Sequence, residues 1–203
     1  MKRYMIDGKV NHFGGSFHYR GIRMAEFDHR VSISYLHDGL IEKIEGTWEP
    51  TESERNAAWD MYVELVTRIP VAYLKPSERT LRLEMSSLYK LFDITREILR
   101  KYGPSVARPR SEGQLSFGYL AVKVLETILR PFMVRWYPLL IDYDSTRLKN
   151  EPSQEHEKKW ERYEELKNAI NEVRDALIQY ANVLAKASEL PMMILEDCIQ
   201  TRE

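Results

Sequence analysis

The chain has 203 residues, is 43 % apolar and 30 % charged, and carries a formal net charge of −1. That is the composition of a folded globular chain of one domain, or of a large domain with a small one attached. The near-zero net charge argues against bulk electrostatic binding to nucleic acid or acidic membranes.

Residues 1–48 read as strands. Asp7-Gly8 and Asp38-Gly39 each sit between short segments rich in Val, Ile, Tyr and Phe, and Asp-Gly suits the two-residue hairpin turn. Arg3–Ile6 with Lys9–Phe13, and Val31–Leu36 with Leu40–Glu45, form the expected hairpins. Ser16–Tyr19 and Ile22–Phe27 lie between them, giving an antiparallel meander of four to six strands.

At Glu49-Pro50 the period changes. Thr51 and Glu54 form a capping-box pattern that opens a helix over 52–69, with Trp59, Tyr62, Val63, Val66 and Ile69 expected inside. Pro70 and Pro76 bracket a connector. Ser77 is the expected cap of a second helix over 78–102, with Leu81, Met85, Leu88, Phe92, Ile98 and Leu99 inside, and Gly103-Pro104 stops it.

Residues 115–141 are the most apolar run. Lys123, Glu126, Arg130 and Arg135 interrupt it, and each costs about 2.5–3.5 kcal/mol at a bilayer centre, so a core helix is expected and not a membrane span. Pro131 should kink or break that helix near Arg130, and Pro138 should end it. Ser153 is the expected cap of a fourth helix over 154–189 that runs up to Pro191. The fold expected is α+β: a β-meander (1–48) packed on an antiparallel four-helix bundle (51–190), followed by a tail (191–203).

Motifs for chemistry are sparse. No Glu-x-x-His motif of the di-iron bundles occurs, so His12, His18, His29 and His37 read as polar strand residues and no metal or other cofactor is expected. Arg23 and His29 have the spacing of some helical RNases but fall among strands. Cys198 sits beside Glu196 and Asp197, which would raise the pKa of its thiol. A lone cysteine also excludes an intrachain disulfide. With a basic start that lacks an apolar signal segment, it points to the cytoplasm. Asp142 and Asp144 could share a divalent ion, though a solvated loop explains them as well.

Charge is more informative. Residues 96–135 hold eight basic side chains against three acidic ones, and residues 151–203 hold seven against twelve. The two segments can pair inside the fold, or Arg96, Arg100, Arg108 and Arg110 can form a basic patch for a partner or for RNA phosphates. Aromatics interleave poorly with that patch in the sequence, which argues against base stacking. The charged start of the fourth helix, with Lys158 and Arg162, is the other candidate partner surface.

Three stretches carry a resemblance: Ser87–Pro104 (Ser-Leu-Tyr-Lys-Leu-Phe-Asp-Ile-Thr-Arg-Glu-Ile-Leu-Arg-Lys-Tyr-Gly-Pro), Leu115–Val122, and Leu129-Arg-Pro-Phe132 through Trp136-Tyr-Pro-Leu-Leu140. Over about residues 54–190 the chain resembles uncharacterised bacterial helical proteins of antiviral-defence neighbourhoods, found near caspase-like proteases and type III CRISPR effectors. The resemblance implies an accessory or regulatory protein, not an enzyme, that contacts an effector or protease of the same operon. It carries over no catalytic motif. RNA binding or cleavage by the basic 96–110 segment is the alternative expectation.

Overall fold

Among the described residues two antiparallel strands come first, and helices follow. The computed structural model describes residues 30–37, 39–68, 80–108 and 113–189, and its class is α+β. Strand β1 (Arg30–His37) pairs with β2 (Leu40–Thr47) from His37↔Leu40 at the turn to Arg30↔Thr47 at the open end. Gly39 takes φ 80°, the left-handed geometry the expected Asp-Gly turn needs. Val31, Ile33 and Tyr35 are buried while Ser32 is exposed, the expected alternation. Among the described residues the sheet has two strands. The other expected strands, Arg3–Ile6, Lys9–Phe13, Ser16–Tyr19 and Ile22–Phe27, lie outside them.

The hairpin is fastened at three points. Ser34 of β1 donates its N–H to Gln179 Oε1 at 2.9 Å, and Gln179 Nε2 donates back to the Ser34 carbonyl at 3.2 Å. The Thr47 carbonyl accepts the Leu115 N–H at 2.7 Å. Gly46 lies so close to Leu115 that a Cβ there would come within 2.8 Å of its Cγ.

Helix α1 (Glu52–Val66) starts with the expected capping box: Glu54 N–H donates to Thr51 Oγ1 at 3.1 Å, and Thr51 N–H to Glu54 Oε2 at 2.8 Å. Glu54 also accepts from Trp48 Nε1 at 3.2 Å and from the Phe117 N–H at 3.0 Å. The buried face differs from the expected one. Ala57, Ala58, Met61, Tyr62 and Leu65 face inward, whereas Trp59 is 39 % exposed. The small alanines, not the large Trp59, meet the neighbouring helices, because a helix face is fixed by what packs on it and not by residue size alone. Ile69, Pro70, Pro76 and Ser77 lie outside the described residues. Helix α2 (Leu81–Tyr102) begins later than expected, with Thr80 as its cap, and ends at Gly103 (φ 70°) as expected. A short 3-10 turn, Gly103–Val106, follows.

The apolar run stays one helical rod. It comprises α3 (Phe117–Val124), a π turn (Leu125–Leu129) and α4 (Arg130–Asp144). Pro131 has no N–H to give and its ring would collide with the carbonyl four residues back. A wider turn just before it relieves the collision, and Arg130 N–H donates to Leu125 O, five residues back. Pro138 does not end the helix, contrary to expectation. The carbonyl it leaves without a donor belongs to Val134, which is exposed, so water can satisfy it.

The expected fourth helix is two. Helix α5 (Ser153–Lys158) and α6 (Tyr163–Ala187) are separated by a turn, and Ser153 is the first residue of α5, not its cap. The break lets three side chains turn inward. Glu157 accepts the N–H groups of Leu81 and Arg82 at 2.8 and 3.2 Å, and the rings of His156 and Trp160 stack on Tyr143 at 4.3 and 5.3 Å. Pro191 and the tail, Cys198 included, lie outside the described residues.

Glu54→Ala removes one acceptor from three donors at once, and an unsatisfied buried donor costs about 1–3 kcal/mol. The variant should lose about 3 kcal/mol or more in urea unfolding, whereas Thr51→Ala, a cap loss, should cost about 1 kcal/mol. Equal losses would show that Glu54 is only half of a cap.

Candidate protein-binding face

Helices α2 and α4 run antiparallel. Arg82 pairs with Asp144, Tyr89 stacks on Tyr137 at 5.7 Å and 22°, and the Arg130 guanidinium lies 5.6 Å over the Phe92 ring. Helix α2 buries Leu81, Met85, Leu88 and Leu91, which leaves Tyr89 and Arg96 on its outer flank. Helix α4 buries Phe132, Met133, Trp136 and Leu140, which sends Arg130, Val134, Tyr137 and Pro138 outward. Between them runs a groove of about 350 Å³, floored by Phe92 and Met133 and edged by Arg96 and Arg130. Val134 is 71 %, Tyr89 52 % and Tyr137 38 % exposed.

The cations of this groove have local acids. Arg96 pairs with Asp93 one turn before it. Arg130 binds Glu126 through both Nε and Nη2 at 2.6 Å, which holds the Glu126 carboxyl low and the Arg130 guanidinium high. Such exposed pairs within one helix contribute little to stability and are readily exchanged for other partners.

The six basic residues singled out from the sequence do not gather in one place. Arg96 edges the groove, and Arg100 lies one turn further along α2, exposed. Arg108 is exposed beyond the 3-10 turn, and Arg110 lies outside the described residues. Lys158 is exposed at the end of α5, whose Glu157 sits at the start of α2. Fifteen residues of α2 separate Leu81 from Arg96, so the end of α5 and Arg96 lie roughly 22 Å apart along that helix. Arg162 is committed: it binds Glu165 at 2.9 Å and lies 4.6 Å over the Trp136 ring. Sequence reading also kept aromatics away from the basic segment. The fold sets Tyr89, Phe92 and Tyr137 beside Arg96, one member of that segment, and beside Arg130, which lies outside it. The spacing Tyr89, Phe92, Arg96 and the spacing Arg130, Val134, Tyr137 are visible in the sequence, but not that the two sets face each other across one groove.

The buried ionisable groups hold helices together. His156 places Nδ1 2.9 Å from Glu151 Oε2 and Nε2 3.1 Å from the Tyr143 carbonyl. Glu84 is buried and meets Arg174 at 3.5 Å. Burial pushes the Glu157 carboxyl up, against the lowering effect of the two N–H groups it accepts, and the nearby Asp144 charge adds to the rise. Asp142 is exposed while Asp144 turns inward to Arg82, so the two cannot share an ion. Among the described residues no three acidic, His or Cys side chains are grouped to hold a metal ion, and no helix is long and apolar enough to cross a membrane. His12, His18, Arg23, His29 and the side chain of His37 lie outside the described residues.

Comparison with protein-family models, with curated proteins and with solved structures finds no match for this chain.

The Glu157 carboxyl sits above its unfolded value of about 4.3. The stability this lends is full below the unfolded value and is lost as pH rises through the folded one. Glu157→Gln keeps an acceptor oxygen at the start of α2 and removes the charge. The variant should therefore gain stability relative to the parent chain as pH rises across that interval, read from urea midpoints at a series of pH values. A difference that falls with pH would show that the two N–H groups, not burial, dominate.

Proposed function

We propose that this chain is a non-enzymatic protein-interaction module that binds its partner through the α2–α4 groove. One observation carries the reading: the fold leaves an aromatic and aliphatic groove open to solvent, while His156, Glu157, Glu84 and Glu54 are spent on packing helices. Exposed apolar grooves edged by polar residues are features of protein interfaces. On this reading α1, α2, the α3–α4 rod and α6 serve as the antiparallel four-helix bundle that displays it. The sequence resemblance supplies the setting, an accessory or regulatory subunit of a bacterial antiviral-defence system working in the cytoplasm beside an effector or protease.

RNA binding is the weaker alternative. The aromatics suit base stacking, but Asp93 and Glu126 neutralise Arg96 and Arg130, the two cations that edge the groove.

A tagged chain recovered from its native cell should bring down a stoichiometric protein that survives nuclease treatment. Tyr89→Glu and Arg96→Glu should each reduce its recovery about tenfold or more, while the unfolding free energy in urea changes by about 0.5 kcal/mol or less for exposed Arg96→Glu and by about 1.5 kcal/mol or less for Tyr89→Glu, which also loses its stack on Tyr137. Unchanged recovery by both variants would exclude the groove. Recovery lost on nuclease treatment, with RNA in the eluate that Arg108→Glu depletes, would favour the RNA reading.

A further inference from the structure

The outer side of the α3–α4 rod carries a pattern that reads the same in both directions. Tyr119, Val122, Glu126, Arg130, Val134 and Tyr137 follow one another at intervals of three, four, four, four and three residues. All six are exposed: Tyr119 51 %, Val122 44 %, Val134 71 % and Tyr137 38 %, with the Glu126 and Arg130 side chains at 47 % and 55 %. Such spacing keeps them on one side of the rod, the arrangement of a helix that packs against another. Reversed about Ile128, tyrosine falls on tyrosine, valine on valine, and Glu126 on Arg130.

We propose that this stripe is the contact between two copies of the chain, related by a twofold axis at Ile128 with their rods antiparallel. Tyr119 of one copy meets Tyr137 of the other, Val122 meets Val134, and Glu126 meets Arg130, each contact occurring twice, as an isologous interface requires. Charge selects the occupant. A foreign helix must match a glutamate and an arginine one turn apart at the centre of an apolar stripe, and the same stripe on a second copy does so unaided. The Glu126–Arg130 pair within each rod exchanges for two such pairs between rods, so no charge is left unpartnered. The contact spans roughly 27 Å of helix and places the Tyr119 of one copy at the mouth of the groove beside Tyr89 and Tyr137 of the other. The inference rests on the reading of this face as an interface and names one occupant of it.

Sedimentation equilibrium of the purified full chain over a concentration series tests it, with no partner protein present. The parent chain should form a reversible dimer. Arg130→Glu and Glu126→Arg should each set like charges opposite one another at two places and weaken association about tenfold or more. Mixing those two single variants should restore a one-to-one dimer, because each then supplies the charge the other lacks, and the double exchange should restore the homodimer. A parent chain that stays monomeric, a dimer indifferent to the single exchanges, or a mixture that fails to associate overturns the proposal. These results leave the groove reading to Tyr89→Glu and Arg96→Glu, which lie on α2 outside the stripe.

Discussion

A single buried carboxylate, Glu54, ties the hairpin to the helices. It accepts hydrogen bonds from the indole of Trp48 at the end of the hairpin, from its own helix cap at Thr51, and from the first N–H of α3 at Phe117. A buried acid is costly unless every acceptor position finds a donor. Here the donors come from three segments that would otherwise have separate orphan N–H groups. Packing around it follows: Trp48 and Phe117 are fully buried, and Gly46 fits against Leu115 only because the start of α3 is held there. Glu157 repeats the device at the start of α2, where one carboxylate serves two helix N–H groups from a different element. Two acids thus set the starts of three helices.

The charge balance of the chain looks different once these contacts are known. The basic middle and the acidic end do meet, at Arg135 and Glu165, but among the described residues most of the ion pairs are local. Arg96 takes Asp93, Arg130 takes Glu126, Lys167 takes Glu164, and Lys101 reaches only to Asp60 on the adjoining helix. What remains is a surface of small alternating charges around exposed aromatic and aliphatic side chains. On the proposed reading such a surface would recognise a partner by shape and by the order of charges along it, not by net attraction, in keeping with the near-zero charge of the chain as a whole.

Much of the fold was legible in the sequence, because local rules governed it. The Asp-Gly turn, the alternation along β1, the Thr51–Glu54 box and the Gly103 stop each depend on a few adjacent residues. The errors came where distant contacts decide. The apolar spacing of α1 puts Trp59 inside with Tyr62, Val63 and Val66, but the inner face of α1 is set by where α6 and α2 lie. Pro138 looks like a stop in the sequence, because nothing there shows that the residue whose carbonyl it frees, Val134, is exposed. The break before α6 could not be seen, since His156, Glu157 and Trp160 keep helical spacing and only Tyr143 and the start of α2 draw them inward. The groove is half legible: Arg96, Tyr89 and Phe92 share α2, but the fourth member, Tyr137, comes from α4, 41 positions beyond Arg96.

The hydrogen bonds between Ser34 and Gln179 have a bearing on solubility. The outer edge of β1 offers a carbonyl and an N–H at Ser34, the groups through which exposed strands recruit one another into aggregates. A carboxamide presents the same donor and acceptor as a peptide unit, and Gln179 delivers both from the side of a helix. The hairpin therefore meets, on that edge, a one-residue imitation of a third strand that cannot be extended, because the next residues belong to α6. The two described strands, which would be marginal alone, are supported at Ser34 by a side chain that offers no further strand to pair with.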